Sequence, residues 1–462
     1  MITMPHQWIH MVGIAGAGMS GIAQVLVEKG FKVSGSDLQV NSITKRLEEI
    51  GIKIYKGHSS SNLKEGVDLL VVSSAIPHDN IEVKRAEELN IPVLKRGQML
   101  ARLVNPCKGI AIAGAHGKTT TTSMIYMVLN QCGLEPAFIV GGQLQGSNLG
   151  ATNGKGDYFV VEADESDASF LGLKPYVAVV TNVEDDHLDY YKSVANIENA
   201  FQHFINGVKP EGFAVLYGED SFVQKVRESS STRTILYGEN KSNDFYIENW
   251  KPKGIGSQFE VYKKNQFIAR IELSIPGKHN ALNALAAICV ALELDLNIKL
   301  VKKALKRFGG AKRRFEIIGQ VKNVTVVDDY AHHPTEIRAT INAAKQYHKG
   351  RVIVVFQPHR YSRTQNLGDQ LGEALSGVDL AIITDIYSAG EKIIPEVSGE
   401  KVYKASLRSG TESIYISGLH NVEEFLFNHY RSGDLIITMG AGDIWKVGTN
   451  LVRKLSELAL QA

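Results

Sequence analysis

The chain reads as an α/β protein with three domains: an N-terminal Rossmann-like parallel sheet, a central P-loop ATPase-like α/β domain and a C-terminal Rossmann-like α/β domain. Three observations predict it. Short apolar runs that end in small or acidic residues alternate with helical patterns along most of the chain, as in doubly wound sheets. Two Gly-rich turns, at Gly16–Gly21 and Gly114–Thr120, each follow an apolar run and precede a helical stretch. The 462 residues exceed what one ordinary core organises. The expected divisions are 1–107, 108–313 and 314–462.

The first block opens on a strand, Trp8-Ile9-His10-Met11-Val12, followed by Gly13-Ile14-Ala15 and then Gly16-Ala17-Gly18-Met19-Ser20-Gly21. A helical pattern leads to a second strand, Lys32 to Gly35, ending at Ser36-Asp37. A third apolar run ends at Ser73-Ser74, and Asn105 to Gly109 reads as a linker. Backbone N–H groups of such a turn, with the helix dipole behind them, attract phosphate. The G-x-G-x-x-G spacing leaves three readings open: a dinucleotide with Asp37 on its ribose, another diphosphate such as a sugar nucleotide, or a plain structural turn.

The second block opens on Ile110 to Ala113 and the turn Gly114-Ala115-His116-Gly117-Lys118-Thr119-Thr120. Strand, Gly-rich turn, Lys-Thr and helix form a triphosphate cradle. Lys118 can reach the β- and γ-phosphates, and the Thr119 hydroxyl can bind the accompanying Mg²⁺. The general motif places its first glycine where Ile112 stands, so this loop is short; a tight turn with a surface lysine is the plainer alternative. Buried-strand runs at Tyr158–Val161 and Val177–Val180 end in two acidic clusters, Glu162 to Asp167 and Asn182 to Asp189. Oxygen-rich sites beside a phosphate loop suit Mg²⁺, with Glu162 and Asp164 as first choices and His187 beside them. Any one of these acids could equally be a solvated loop carboxylate. Ile235 to Leu273 reads as short strands forming a small antiparallel sheet. Asn280 and Asn283 fall on one helical face, fit either for an adenine edge or as caps of a helix over Ala284–Ala287.

In the third block, strands are expected at Val324–Asp328, Arg351–Phe356, Leu380–Thr384 and Leu435–Met439. Asp328 to Glu336, and Gln357 to Thr364 with Arg360 and Arg363, lie at strand ends. Paired arginines suit a small carboxylate substrate. His332-His333 lacks further ligands at zinc spacing.

Bulk composition narrows the partners. With 51 basic and 49 acidic residues the net charge is +2, which gives no electrostatic case for nucleic acid or an anionic membrane. Three scattered cysteines show neither a disulfide framework nor metal spacing and fit a reduced cytoplasmic setting. No signal peptide or apolar run of membrane length is found, so no membrane span is expected.

Together these motifs, from Gly13 to Gly442, resemble the Mur ligases of bacterial peptidoglycan synthesis. The shortened loop Gly114-x-His116-Gly117-Lys118-Thr119-Thr120 is that family's. Ser166 and Tyr330 look like its alanine-adding branch, where the murein-recycling branch carries Tyr and Phe. Around Ala200-Phe201-Gln202-His203 there is no lysine of the kind that most other members carbamylate. The resemblance implies ligation of L-alanine to the lactyl carboxylate of UDP-N-acetylmuramate through an acyl phosphate, with ATP and Mg²⁺. It places the sugar nucleotide at the Gly16–Gly21 turn, with Ser73, Ser74 and Asp37 nearby. It places ATP at Gly114–Thr120, Asn280, Asn283, Arg314 and Asp329, and the metal at Thr119, Glu162 and His187. The amino acid would meet Tyr330, His359, Arg360 and Arg363. Lys118, His187 and Arg314 are the implied catalytic groups, and either His187 or His332 could deprotonate the amine. The implied partners are the small-molecule substrates alone, with no nucleic acid and no membrane, and the chain is expected as a monomer or weak dimer. Competing readings are a tripeptide-recycling ligase, an NAD-linked dehydrogenase with an added ATPase domain, and a nucleotide-gated binding module.

Overall fold

The computed structural model describes residues 7–145, 150–184 and 188–460. They form two compact units. One comprises Met1–Asn249, Phe259–Ile271 and Leu282–Phe308, and the other Trp250–Gln258, Glu272–Ala281 and Gly309–Ala462.

The first sheet uses β1 (Trp8–Val12), β2 (Lys32–Asp37), β3 (Lys53–Lys56), β4 (Leu69–Val72) and β5 (Val93–Lys95), in the order β3-β2-β1-β4-β5. All its pairings are parallel. Strand order reverses at β1, where the crossovers leave in opposite directions, so a crevice opens beyond its carboxyl end. The Gly13–Gly21 turn emerges there and runs into the helix Ala17–Glu28. Gly35 in β2 lets that turn approach, because a Cβ there would lie 2.6 Å from both Met11 O and Ile14 Cδ1.

The second sheet has ten strands: β6 (Lys108–Ala113), β7 (Ala137–Ile139), β8 (Ala151–Thr152), β9 (Tyr158–Glu162), β10 (Val177–Val180), β11 (Phe213–Tyr217), β12 (Thr234–Gly238), β13 (Phe245–Lys253), β14 (Gly256–Lys263) and β15 (Gln266–Leu273). Their order is β15-β14-β13-β12-β11-β10-β6-β9-β7-β8. Residues 235–273 therefore form no separate small sheet. Tyr237↔Phe245 pairing is parallel, which extends the large sheet outward. β6 lies parallel between β9 and β10 and is buried from Gly109 on, which explains its unbroken apolar run. The carboxyl ends of β6, β9 and β10 carry, side by side, the Lys-Thr turn, the Glu162 cluster and Thr181-Asn182.

One apolar core runs from Ile9 and Met11 through Ala111, Val161 and Val180 to Leu236, so the first two sheets share it. The stretch read as a linker is firmly held. Asn105 Nδ2 donates to Gly172 O (3.1 Å), Lys209 Nζ donates to Asn105 O and Cys107 O, and Lys108 already belongs to β6.

The last sheet uses β16 (Glu316–Val321), β17 (Val324–Asp329), β18 (Val352–Phe356), β19 (Leu380–Ile383), β20 (Ser413–Tyr415) and β21 (Leu435–Met439), ordered β16-β17-β21-β18-β19-β20. All pairs are parallel except β16 with β17. Separate apolar clusters cover its two faces, one with helices 334–347 and 361–374, the other with 419–429 and 445–460. β16 and β20 were not expected. Both are edge strands, only partly buried, and lack the apolar run that marks their neighbours.

Candidate functional site

The phosphate loop is built by glycine geometry and by two residues that follow β10. Gly114 has φ +131°, and a Cβ there would lie 2.2 Å from Thr181 Oγ1. Gly117 has φ +82°, and its Cβ would lie 2.7 Å from Asn283 Oδ1. Asn182 braces the turn, accepting from His116 N (2.9 Å) and donating to His116 O (3.1 Å), while Thr181 Oγ1 donates to the same carbonyl (2.5 Å). The helix Lys118–Gln131 starts at Gly117 and is buried over most of its surface, Thr120 included. Lys118 is not a surface lysine. Its Nζ donates to Glu165 Oε1 (2.7 Å), Gly114 O (2.5 Å) and Ala115 O (3.2 Å). Burial works to lower the Lys118 pKa, but the Glu165 and Glu162 charges outweigh it and raise it. Burial raises the pKa of Glu165, against the pull of Lys118.

Thr119 Oγ1 donates to Glu162 Oε1 (3.0 Å), whose other oxygen accepts from Gly141 N (2.9 Å). A hydroxyl and a carboxylate thus meet at the helix start, both hard oxygen donors of the kind Mg²⁺ selects. Asp164 is engaged elsewhere, by Arg96 Nη2 (3.0 Å) and Ser166. Burial works to raise its pKa, yet Arg96 and Ser166 hold it lowered. His187, Asp185 and Asp186 lie outside the described residues.

The first turn is held from β2. Gly13 N and Ile14 N donate to Ser36 O, and Ala15 N to Asp37 Oδ2 (3.0 Å). Asp37 Oδ1 accepts from Gln39 N (3.1 Å), so the acid proposed for a ribose braces the backbone with both oxygens. Ser20 is buried and donates to Ala17 O (3.0 Å), while a Cβ on Gly21 would meet Ile139 Cγ2 at 3.0 Å. The third glycine therefore serves helix packing. A cavity of about 310 Å³ gathers Gly16, Ala17, Gly18 and Met19 with Ser73, Ser74, Lys118 and Glu162. Sequence reasoning missed Arg96, which lines the same cavity and also a neighbouring one of about 820 Å³. It missed Asn182 and Glu165 as loop partners too. Only their positions at the ends of apolar runs hinted at them.

Asn280 and Asn283 are both buried within the helix Lys278–Glu293, so neither is a cap. The helix starts ahead of the alanines because Gly277, at φ +93°, turns the chain into it. Asn280 Nδ2 donates to Pro276 O (2.7 Å).

In the second unit, Arg314 Nη1 donates to Glu336 Oε1 (3.0 Å), whose other oxygen accepts from His332 N (3.1 Å). Asp329 accepts from Phe315 N (2.7 Å) and Ala331 N (2.8 Å), and burial pushes its pKa up to about 6. Tyr330 has Arg313 and Arg314 over its ring, at 5.0 and 5.3 Å from its centroid. Next to it stand His332 and then His359, with ring centroids 5.7 Å apart, and His359 stacks on Tyr387. His332 Nδ1 lies 2.9 Å from Tyr330 O and must donate there, which leaves the lone pair on Nε2. Burial lowers the pKa of His332 to about 4 and that of His359 to about 3. Arg360, at φ +69°, precedes the helix Tyr361–Ala374, which carries Arg363 in its first turn.

Comparisons with known proteins agree along the whole length. The Mur ligase family catalytic domain matches residues 8–107, the Mur ligase middle domain 112–291 and the Mur ligase glutamate ligase domain 313–442. UDP-N-acetylmuramate–L-alanine ligase of Syntrophomonas wolfei is 64% identical over 464 aligned positions, covering 100% of both chains. The enzyme of that name from Desulforamulus reducens is 44% identical over 97% of this chain and 98% of its own. The crystal structure of MurC, UDP-N-acetylmuramate-alanine ligase, from Thermotoga maritima superposes with a TM-score of 0.84 at 28% identity, covering 98% of this chain and 100% of that one. A murein peptide ligase from Psychrobacter arcticus gives 0.73 at 26%, over 97% and 98%. The chain belongs to the Mur ligase family.

Proposed function

We propose that the chain joins L-alanine to the lactyl carboxylate of UDP-N-acetylmuramate, with cleavage of ATP to ADP and phosphate. The observation that carries this reading is the 64% identity, end to end, with the Syntrophomonas wolfei enzyme of that name. The cavity in which the Gly16–Met19 turn and Lys118 stand together supports it, since a sugar nucleotide's acid and a triphosphate must meet.

In this reading residues 1–107 hold the UDP part, 108–313 hold ATP and 314–462 hold the amino acid. A lactyl carboxylate oxygen attacks the γ-phosphorus, and ADP leaves with the electron pair of the broken P–O bond. The alanine amine then attacks the acyl carbon. Its proton goes to a base, and inorganic phosphate departs from the tetrahedral intermediate. Most of the protein's work is positioning and charge neutralisation. Lys118 offsets the repulsion between carboxylate and triphosphate, an effect that strengthens as water leaves. Thr119 and Glu162 are the pair suited to Mg²⁺, which when bound would neutralise triphosphate charge. His332, whose Nδ1 is turned to Tyr330 O so that Nε2 carries the lone pair, is one candidate to take the amine proton, and His187 is the other. Tyr330, His359, Arg360 and Arg363 form the amino-acid side, with the two arginines fitted to its carboxylate. Asn280, Asn283, Arg314 and Asp329 remain the proposed ATP contacts from helix 278–293 and the third block. We place the reaction in the cytoplasm, carried out by a monomer or weak dimer on small molecules alone. No helix among the described residues is long and apolar enough to cross a membrane.

The deciding assay is phosphate release with UDP-N-acetylmuramate, ATP and Mg²⁺, adding amines one at a time. Alanine should drive turnover and glycine should follow more slowly, because a methyl-sized pocket discriminates by only about 1–3 kcal/mol. Turnover with the tripeptide L-Ala-γ-D-Glu-meso-diaminopimelate but not with alanine would move the chain to the recycling ligases.

A further inference from the structure

Arg96 opens the helix Arg96–Val104 and lines the two cavities of about 310 and 820 Å³, together with Ser73 and Ser74. Its side chain is 14% exposed. One nitrogen, Nη2, donates to Asp164 Oδ2 (3.0 Å), Asp167 Oδ2 (3.2 Å) and Ser169 Oγ (3.4 Å). The other terminal nitrogen faces the Gly-rich turn. A Cβ on Gly18 would stand 3.1 Å from Nη1 and 3.2 Å from Cδ. The next residue, Gly97, packs the start of this helix closely on Ser169, since even a Cβ there would lie 2.3 Å from Ser169 Cβ. A guanidinium is thus laid along the first turn of helix 17–28, where N–H groups and the helix dipole already favour an anion. Nη1 makes no hydrogen bond among the described residues. Arginine presents its donors as a fork, so Nη1 can take a phosphate oxygen while Nη2 keeps one carboxylate.

We propose that Arg96 binds the diphosphate of the sugar nucleotide, exchanging its hold on Asp167 for a phosphate oxygen as the ligand seats on the Gly16–Gly18 turn. This rests on the reading of that turn as the UDP site. The two aspartates then compete with the ligand for one cation. Removing the charge of Asp167 should free the guanidinium and tighten binding, whereas removing the guanidinium should weaken it. A purely structural clamp gives both changes the same sign.

Calorimetric titration of the full chain with UDP and with UDP-N-acetylmuramate separates these cases. Arg96→Gln should bind both ligands about ten- to a hundredfold more weakly, the loss of one charge-assisted contact. Arg96→Lys keeps the charge without the fork and should fall between Arg96→Gln and the unaltered protein. Asp167→Asn should bind both ligands more tightly. Thermal unfolding confirms that each variant is folded; should Arg96→Gln not fold, the sign of the Asp167→Asn change still decides. Equal affinity in Arg96→Gln and the unaltered protein would overturn the proposal, and so would weaker binding in Asp167→Asn. A loss confined to UDP-N-acetylmuramate would also overturn it, since UDP has the diphosphate but no lactyl carboxylate. If the unaltered protein bound neither ligand, the UDP reading of the turn would fail first and Arg96 with it.

Discussion

At the scale of single residues, the second unit concentrates histidines that folding keeps neutral. Burial lowers the pKa of His279 and His332 from 6.5 to about 4, and that of His359 to about 3. Each binds fewer protons in the folded than in the unfolded chain between those values and 6.5. Their contribution to stability is complete above about 6.5 and is lost as the pH falls toward 4. Asp329 works in the opposite sense. Its pKa rises from 3.8 to about 6 on burial, so the folded chain holds an extra proton in that window and gains stability as the pH falls through it. Three groups against one leave a net loss on acidification. His359→Gln should therefore flatten the acid limb of the ligand-free unfolding midpoint, by at most about 1.4 kcal/mol per pH unit for one titrating group. An acid limb as steep as that of the unaltered chain would rule out His359 as a contributor.

At the scale of elements, the strand-to-helix turn from β6 into helix 118–131 is the least forgiving piece. Gly114→Ala would require a side chain at φ +131° and a Cβ 2.2 Å from Thr181 Oγ1, with the backbone of Asn182 at 2.9 Å. Neither neighbour is a flexible side-chain end, so the turn itself must move. We expect a stability loss of about 1–3 kcal/mol with loss of ATP binding, read by thermal unfolding and by titration with ATP. An ATP affinity like that of the unaltered chain would show that this glycine does not shape the phosphate loop. Turns of this kind were legible in the sequence because glycine, lysine and threonine report directly on backbone geometry and phosphate chemistry. So were β6, β9, β10 and β21, whose burial on both faces leaves unbroken apolar runs. Arg96 and Asn182 were not legible as site neighbours. Each acts across a sequence gap of more than 60 residues, on Asp164 and on His116 respectively, and nothing local to either residue reveals that. The strands over 235–273 were read correctly as strands but assigned to the wrong sheet, since alternation reveals a half-buried face and not which neighbour covers it.

At the scale of the whole molecule, the groups proposed for the UDP-sugar and the triphosphate loop belong to one compact unit, and Tyr330, His359, Arg360 and Arg363 to the other. Substitutions at the phosphate loop and on the amino-acid side should therefore separate by substrate. Arg363→Ala removes a cation from the first turn of helix 361–374. It should raise the alanine concentration needed for half-maximal turnover at least tenfold, as loss of a charge-assisted contact to a carboxylate implies, and leave UDP-N-acetylmuramate affinity unchanged. Lys118→Ala should instead abolish ATP turnover at any alanine concentration while leaving UDP-N-acetylmuramate binding nearly intact. Its ammonium is held by Glu165 and by the carbonyls of its own loop, and no group of the second unit is proposed to replace it. Steady-state kinetics with one substrate varied at a time, alongside direct titration of the sugar nucleotide, reads both. If Arg363→Ala weakened the sugar nucleotide as much as alanine, the amino-acid side would not be confined to the third block, and the proposed division between sugar-nucleotide and amino-acid sides would have to be abandoned.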